Sequence, residues 1–141
     1  MNSKSPDGRL LINLGGGRQS VEWPHHISID KIKSDKVSIV WDLENGLPKI
    51  RIDVDSMDLS YESKIFKDNT VDEFLCKHVL EHIRNLLQLM DEMWDALKPE
   101  GILRIMVPSA HHTEAAFSDP THVRAFTEKT FNYWTHATLA A

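Results

Sequence analysis

The chain has 141 residues, of which 41% are hydrophobic, and its 16 basic and 21 acidic residues give a net charge of −5. This size and composition predict one globular domain, 1–141, with a buried core, and they exclude a disordered chain. The acidic balance disfavours a nucleic-acid partner, and neither a membrane-length apolar run nor a signal peptide is evident. Because Cys76 is the only cysteine, no intramolecular disulfide can form, and we expect a cytoplasmic protein with no membrane partner.

Three strands are predicted in the first part of the chain, from short apolar runs that each end at a glycine or an acid. They cover residues 9–14, 26–30 and 36–41. The link between the first two strands is too short for a full crossover helix, so we expect a loop or a single helical turn there. Residues 49–67 form an insertion whose alternating apolar and polar residues predict an exposed strand or one arm of a hairpin.

Two more strands are predicted in the second half of the chain, at residues 71–76 and 102–107, on either side of an amphipathic helix. Asn85 is the expected N-cap of that helix, and residues 98–101 end it. Its methionine and tryptophan side chains, Trp94 among them, recur at helical spacing and are expected in the core.

Strands separated by crossovers, with a last helix beginning near Thr127, predict an α/β sandwich with a parallel sheet. In such sheets ligands bind beyond the carboxyl ends of the strands, where Gly15, Asp30, Asp42 and the loop after Cys76 all lie. Glycine lets a ligand approach the backbone, and an acid that ends the second strand can accept hydrogen bonds from both ribose hydroxyls. We therefore expect a ligand that contains a nucleoside.

The glycine spacing bears on which nucleoside ligand this is. Gly15 and Gly17 match the first and third positions of the dinucleotide fingerprint, but Ser20 stands at the sixth. This mismatch disfavours a nucleotide-dependent dehydrogenase, which stays as an alternative, and favours a ligand without phosphates.

Five segments together resemble the class I S-adenosylmethionine-dependent methyltransferases. Leu-Ile-Asn-Leu-Gly-Gly-Gly at 11–17 resembles motif I, and Ile-Ser-Ile-Asp at 27–30 resembles the ribose-binding acidic motif. Trp-Asp-Leu at 41–43 is similar to the strand-three motif near the adenine. His-Val-Leu-Glu-His at 78–82 resembles the loop after strand four, and Leu-Lys-Pro-Glu-Gly at 97–101 resembles the segment before strand five.

The resemblance covers residues 10–108 and is closest to a branch of small methyltransferases with a shortened first helix. It implies a Rossmann-like three-layer sandwich whose first five strands follow the order 3-2-1-4-5. Residues 9–108 would form the cofactor-binding core, and residues 109–141 a tail on the acceptor side or over the sheet edge. We expect the family's sixth and seventh strands to be missing, with the tail or the second subunit of a homodimer covering the exposed edge.

The resemblance also implies S-adenosylmethionine as cofactor and a methyl group moved to a small-molecule or carbohydrate-like acceptor. The alternative is a non-catalytic S-adenosylmethionine-binding or scaffold module with the same fold. In the family's pattern Gly15 and Gly17 approach the methionine, Asp30 holds the ribose, and Asp42 with Leu43 flanks the adenine. The full set of implied cofactor contacts is Asn13, Gly15, Gly16, Gly17, Asp30, Lys31, Asp42, Leu43, Lys77 and His78.

An oxygen or nitrogen acceptor can require a general base, and histidine titrates in the right range. We predict this role for His122, which lies in the segment Asp-Pro-Thr-His on the expected acceptor side, or for His78. The other candidates, each with a purely structural alternative, are Glu81, His82, His111 and His112. The spacing of His111, His112, Asp119 and His122 matches no standard zinc pattern, so no metal site is predicted.

Overall fold

The structure is a computed structural model that describes residues 4–16, 25–54 and 59–136. Seven strands and three α-helices follow in chain order: β1 (Leu11–Leu14), β2 (Ile27–Asp30), β3 (Ile39–Val40), β4 (Lys49–Val54), β5 (Leu59–Lys64), β6 (Val71–Lys77), α1 (Leu86–Ala96), β7 (Leu97–Met106), α2 (Thr113–Phe117) and α3 (Asn132–His136). Short 3₁₀ helices lie at Leu43–Asn45, Leu80–His82 and Glu128–Phe131. The predicted link between the first two strands falls largely at 17–24, outside the described residues.

Five of these strands form one parallel sheet in the order β3-β2-β1-β6-β7. Counted along the sheet's own strands this is 3-2-1-4-5, so the predicted parallel α/β architecture and strand order are confirmed. The central strand β1 is buried along its whole length, because both faces of a parallel sheet are covered.

Of the seven strands in the described residues, the two outside the parallel sheet form a separate antiparallel hairpin, β4–β5. The hairpin occupies the insertion at 49–67, where the alternating pattern predicted an exposed strand or hairpin arm. In the part of the chain that the structure describes, the parallel sheet itself ends at β7.

Helix α1 packs one apolar stripe onto the core. Its buried side chains recur every three or four residues, and they are Leu86, Leu89, Met90, Met93 and Ala96. The Met93 sulfur lies 3.9 Å from the thiol of Cys76, whose pKa burial raises to about 12. Burial of each such large apolar side chain stabilises the fold by about 1.5–3 kcal/mol.

The expectation that Trp94 belongs to this core is wrong, because its side chain is 72% exposed. Trp94 follows Met93, and one residue turns an α-helix by about 100°. Since Met93 occupies the centre of the buried stripe, the next position faces solvent.

The residues that lead into α1 are held by a distant carboxylate rather than by the N-cap side chain of the helix. Asn85 occupies the predicted N-cap position but makes no side-chain capping bond. Instead the Glu44 carboxylate accepts hydrogen bonds from the N–H groups of Arg84 and Asn85, at 2.7 and 3.2 Å. A negative charge at this end also suits the helix dipole. The contact ties the loop after β3 to the start of α1.

The tail folds back over the loop that follows β6. Its predicted last helix is confirmed, with Thr127 as N-cap of the 3₁₀ helix that leads into α3. Phe126 is buried in the core, and Val123 donates its N–H to the carbonyl of Glu81 at 2.8 Å. The tail therefore stands beside the carboxyl ends of the strands. Its role as a cover for the edge strand β7 stays a prediction.

None of the helices in the described residues is long and apolar enough to cross a membrane.

Candidate functional site

A cavity of about 450 Å³ lies at the carboxyl ends of the central strands, within the size range of small-molecule sites. Its wall combines residues at or just after the carboxyl ends of β1, β2, β3 and β6 with one residue of the tail. They are Gly15, Asp30, Lys31, Ile32, Trp41, Asp42, Leu43, Glu44, Val79, His82, Ile83 and Thr121. The strand order explains this convergence, because β1 and β6 are neighbours at the centre of the sheet.

The end of β1 contributes bare backbone. Gly15 has a φ of +72°, and a Cβ at this position would lie 2.5 Å from Cγ2 of Val79. Below it, Asn13 is buried and its Nδ2 has no hydrogen-bond partner among the described residues. A Cβ on Gly16 would lie 1.9 Å from that Nδ2. Gly17, the other glycine of the predicted set, lies outside the described residues.

The end of β2 contributes a carboxylate. Asp30 is half-buried and accepts a hydrogen bond from the N–H of Ile32 at 2.9 Å. This turn holds the carboxylate at the wall of the cavity, next to Lys31. Oriented carboxylate oxygens at this point of the sheet are suited to a pair of vicinal hydroxyls.

The end of β3 contributes a largely apolar wall. Asp42 caps the 3₁₀ helix Leu43–Asn45 by accepting a hydrogen bond from the N–H of Glu44 at 3.0 Å. This cap turns the buried Leu43 toward the core, while the Trp41 indole is fixed by its hydrogen bond to the Gly46 carbonyl at 3.0 Å. A flat indole and an apolar leucine side chain beside a carboxylate suit a heteroaromatic base.

In the loop after β6, the residues that line the cavity come later in the chain than the two that the sequence indicated. Lys77 and His78 do not line the cavity, whereas Val79, His82 and Ile83 do. His78 has a φ of +55°, a costly conformation for a residue with a Cβ, and such strain is concentrated at functional sites. It turns the chain so that the residues after it, rather than His78 itself, reach the ligand space.

His122 is 10% exposed and is packed beside His82, with the two rings edge to face at a centroid distance of 4.8 Å. It lies behind the cavity wall, whereas its neighbour Thr121 lines it. His111 and His112 are exposed and are not part of the wall. No sequence signal groups Thr121 and His122 with His82, because residues about 40 positions apart carry no local indication of contact.

These features define a nucleoside-binding α/β protein of the Rossmann-like type. They are the order of the strands, the glycine after β1, the carboxylate at the end of β2 and the apolar wall after β3. The family model described as "Methyltransferase domain" matches residues 15–105. The chain belongs to the class I S-adenosylmethionine-dependent methyltransferase family, as the five sequence segments predicted.

Among solved structures, a crystal structure of a SAM dependent methyltransferase from Archaeoglobus fulgidus is similar, with a TM-score of 0.61 and 17% sequence identity. The match covers 92% of this chain and 59% of that one, so the chain spans about three fifths of the length of that protein. The likeness confirms the Rossmann-like methyltransferase fold. A comparison with curated proteins finds no significant match.

The cofactor of this family is S-adenosylmethionine, and the residues present fit it. Gly15 presents bare backbone at the cavity wall, with Val79 leaving no room for a side chain, and in the described part of the structure the buried Nδ2 of Asn13 is a donor without a partner. A sulfonium nucleoside has no phosphate groups, so it needs no phosphate-binding helix N-terminus.

Proposed function

We propose that this chain binds S-adenosylmethionine in the cavity and transfers its methyl group to a small-molecule acceptor, of which carbohydrate-like compounds are the expected class. The observation that carries the proposal is the meeting of Gly15, Asp30 and Asp42 around one cavity of suitable size. Each lies at the carboxyl end of a different strand, and each is the residue type that its part of the cofactor requires.

The described residues divide the cofactor between them in this proposal. Asp30 accepts hydrogen bonds from the ribose hydroxyls, and Trp41 with Leu43 packs against the adenine beside Asp42. The backbone at Gly15 accommodates the methionine part. Lys31 lies at the mouth, where its exposed ammonium adds positive charge near the carboxylates.

Bound S-adenosylmethionine supplies a methyl group on a sulfonium sulfur, and S-adenosylhomocysteine is the leaving group. The chain's own contribution is then to hold the acceptor in line with that methyl group and to keep water out. We place the acceptor on the side of the cavity that His82 and Thr121 line, in front of His122. His78 stays the second candidate for acid–base work, since its Nδ1 lies 3.7 Å from Glu81 Oε1.

The test is an assay of acceptor-dependent S-adenosylhomocysteine release by the purified chain. The acceptor panel compares free sugars, nucleotide sugars and small phenols, and a reaction without acceptor measures background hydrolysis. We expect release with at least one hydroxylated acceptor. Cofactor binding without turnover on any acceptor would overturn methyl transfer and would support the non-catalytic module.

A further inference from the structure

Three potential metal-ligating side chains lie close together beside the cavity. Glu81, His82 and His122 each offer one ligand atom, and these atoms lie within 4.8 Å of one another. Glu81 and His82 belong to the short helix after β6, whereas His122 comes from the tail. The fold therefore brings together a two-histidine, one-carboxylate set from two distant parts of the chain.

Glu81 is unusual among the three because it is a buried carboxylate with an unpaired oxygen in the described part of the structure. Its side chain is 2% exposed, and its Oε2 has no hydrogen-bond partner in the described part of the structure. The imidazole nitrogens His78 Nδ1 and His82 Nε2 lie at 3.7 and 3.9 Å from Oε1, beyond hydrogen-bond distance. A buried carboxylate oxygen without a partner is costly, and a bound cation is one way to satisfy it.

The hydrogen bonds around the histidines fix which ring nitrogen is free. Thr121 donates its hydroxyl proton to Asp119 at 2.6 Å, so its oxygen accepts from His82 Nδ1 at 2.9 Å. His122 Nδ1 lies 3.0 Å from the Ala116 carbonyl, which can only accept. In the neutral form of each ring the proton therefore sits on Nδ1, and Nε2 carries the lone pair that can bind a metal.

This pattern is the outer-shell arrangement of metal-binding histidines, whose second nitrogen donates to a carboxylate, a carbonyl or a group held by one. The Thr121 hydroxyl in turn holds Asp119, whose Oδ2 lies 3.7 Å from His122 Nε2. The hydrogen bonds from Thr121 also lower the pKa of Asp119. Asp119 therefore places a second carboxylate near Nε2 of His122.

We propose that Glu81, His82 and His122 bind a divalent transition-metal ion through one carboxylate oxygen and the two Nε2 atoms. Imidazole nitrogen with carboxylate oxygen suits zinc and its neighbours in the first transition row, whereas magnesium prefers oxygen alone. Ligand bonds of about 2.0–2.2 Å require the three side chains to close by roughly an ångström from their present positions.

The site opens onto the cavity, because His82 and Thr121 line its wall. If the proposed methyl transfer is right, an acceptor oxygen in the cavity would meet the ion, which would favour loss of the hydroxyl proton. Metal binding itself does not depend on that activity, so the two proposals fail separately.

The test uses the full chain without a histidine tag, stripped with EDTA and titrated with ZnCl₂ by calorimetry. We expect one zinc ion per chain. Glu81→Gln keeps the side-chain size and should weaken binding by more than the roughly 10–100-fold that loss of an outer-shell partner costs. Substitution of the exposed His111 by Ala is the control and should leave the affinity unchanged.

A second variant separates ligation from folding. Thr121→Val removes the outer-shell partner of His82 and should weaken zinc binding about 10-fold, with rescue by Thr121→Ser. Thermal melting by circular dichroism checks that each variant is folded, and the d–d absorption of a Co²⁺-loaded sample reports tetrahedral coordination. Absence of zinc binding, equal binding by wild type and Glu81→Gln, or a preference for MgCl₂ would each overturn the proposal.

Discussion

At the residue scale, the backbone can line the cavity after β1 only because residue 15 is a glycine. It combines a φ of +72° with a neighbour, Val79, that leaves no room for a Cβ. Gly8 has a similar φ of +80° but nothing within 4 Å of the position where a Cβ would lie. Comparing Gly8 with Gly15 therefore separates the free energy lost to a left-handed backbone conformation from the free energy lost to a clash with Val79.

We expect Gly8→Ala to lower the free energy of unfolding by about 1–2 kcal/mol, the cost of a left-handed conformation for a residue with a Cβ. Gly15→Ala should cost more, because Val79 must also move, and should in addition weaken S-adenosylmethionine binding. Urea denaturation and calorimetry measure the two effects. Equal losses of stability, or an unchanged affinity in Gly15→Ala, would contradict the placement of Gly15.

At the scale of elements, Glu92 fastens α1 to the segment that follows β3. Its carboxylate accepts hydrogen bonds from the Leu47 N–H, from Gln88 Nε2 at 3.1 Å and from Lys49 Nζ, which lies 3.0 Å from Oε1. Burial raises the pKa of Glu92, but these hydrogen bonds and the Lys49 charge outweigh it, and the net pKa is lowered. The same segment carries Asp42 and Leu43, so this contact supports the cavity wall.

Glu92→Gln should lower the free energy of unfolding by about 1–2 kcal/mol at neutral pH, because charged hydrogen bonds are lost. A depressed folded-state pKa means that the stabilisation is present above the ordinary value of 4.5 and is lost as pH falls through the lowered pKa. The stability difference between wild type and variant should therefore shrink in acid. Asp91→Asn, on the exposed side of α1, is the control. A constant difference across this range would contradict the role.

Sequence alone predicted those features that depend on local pattern. Gly15, Asp30 and Asp42 could be placed because each ends an apolar run, and parallel strands bring their carboxyl ends to one edge. Trp94 was misplaced because helical spacing shows that a stripe exists but not where its border lies. The contact of Glu44 with the start of α1 joins residues far apart in sequence, and no local signal encodes such contacts.

At the scale of the whole molecule, the sheet order brings the ends of β1, β2 and β3 and the loop after β6 around one cavity. The tail adds Thr121 to the wall and places His122 behind it. In the proposed reaction the ends of β1, β2 and β3 form the cofactor side, and the loop after β6 together with the tail forms the acceptor side. The cofactor assignment depends most on Asp30, because this residue is proposed to bind the ribose hydroxyls.

Calorimetric titration of S-adenosylmethionine into wild type, Asp30→Ala and the exposed control Asp91→Ala tests this assignment most directly. Loss of hydrogen bonds to a charged group costs about 1.5–3 kcal/mol, so we expect Asp30→Ala to bind about 10–100-fold more weakly, with the control unchanged. Failure of the wild type to bind S-adenosylmethionine, or equal affinity in Asp30→Ala, would contradict the cofactor site described for this cavity.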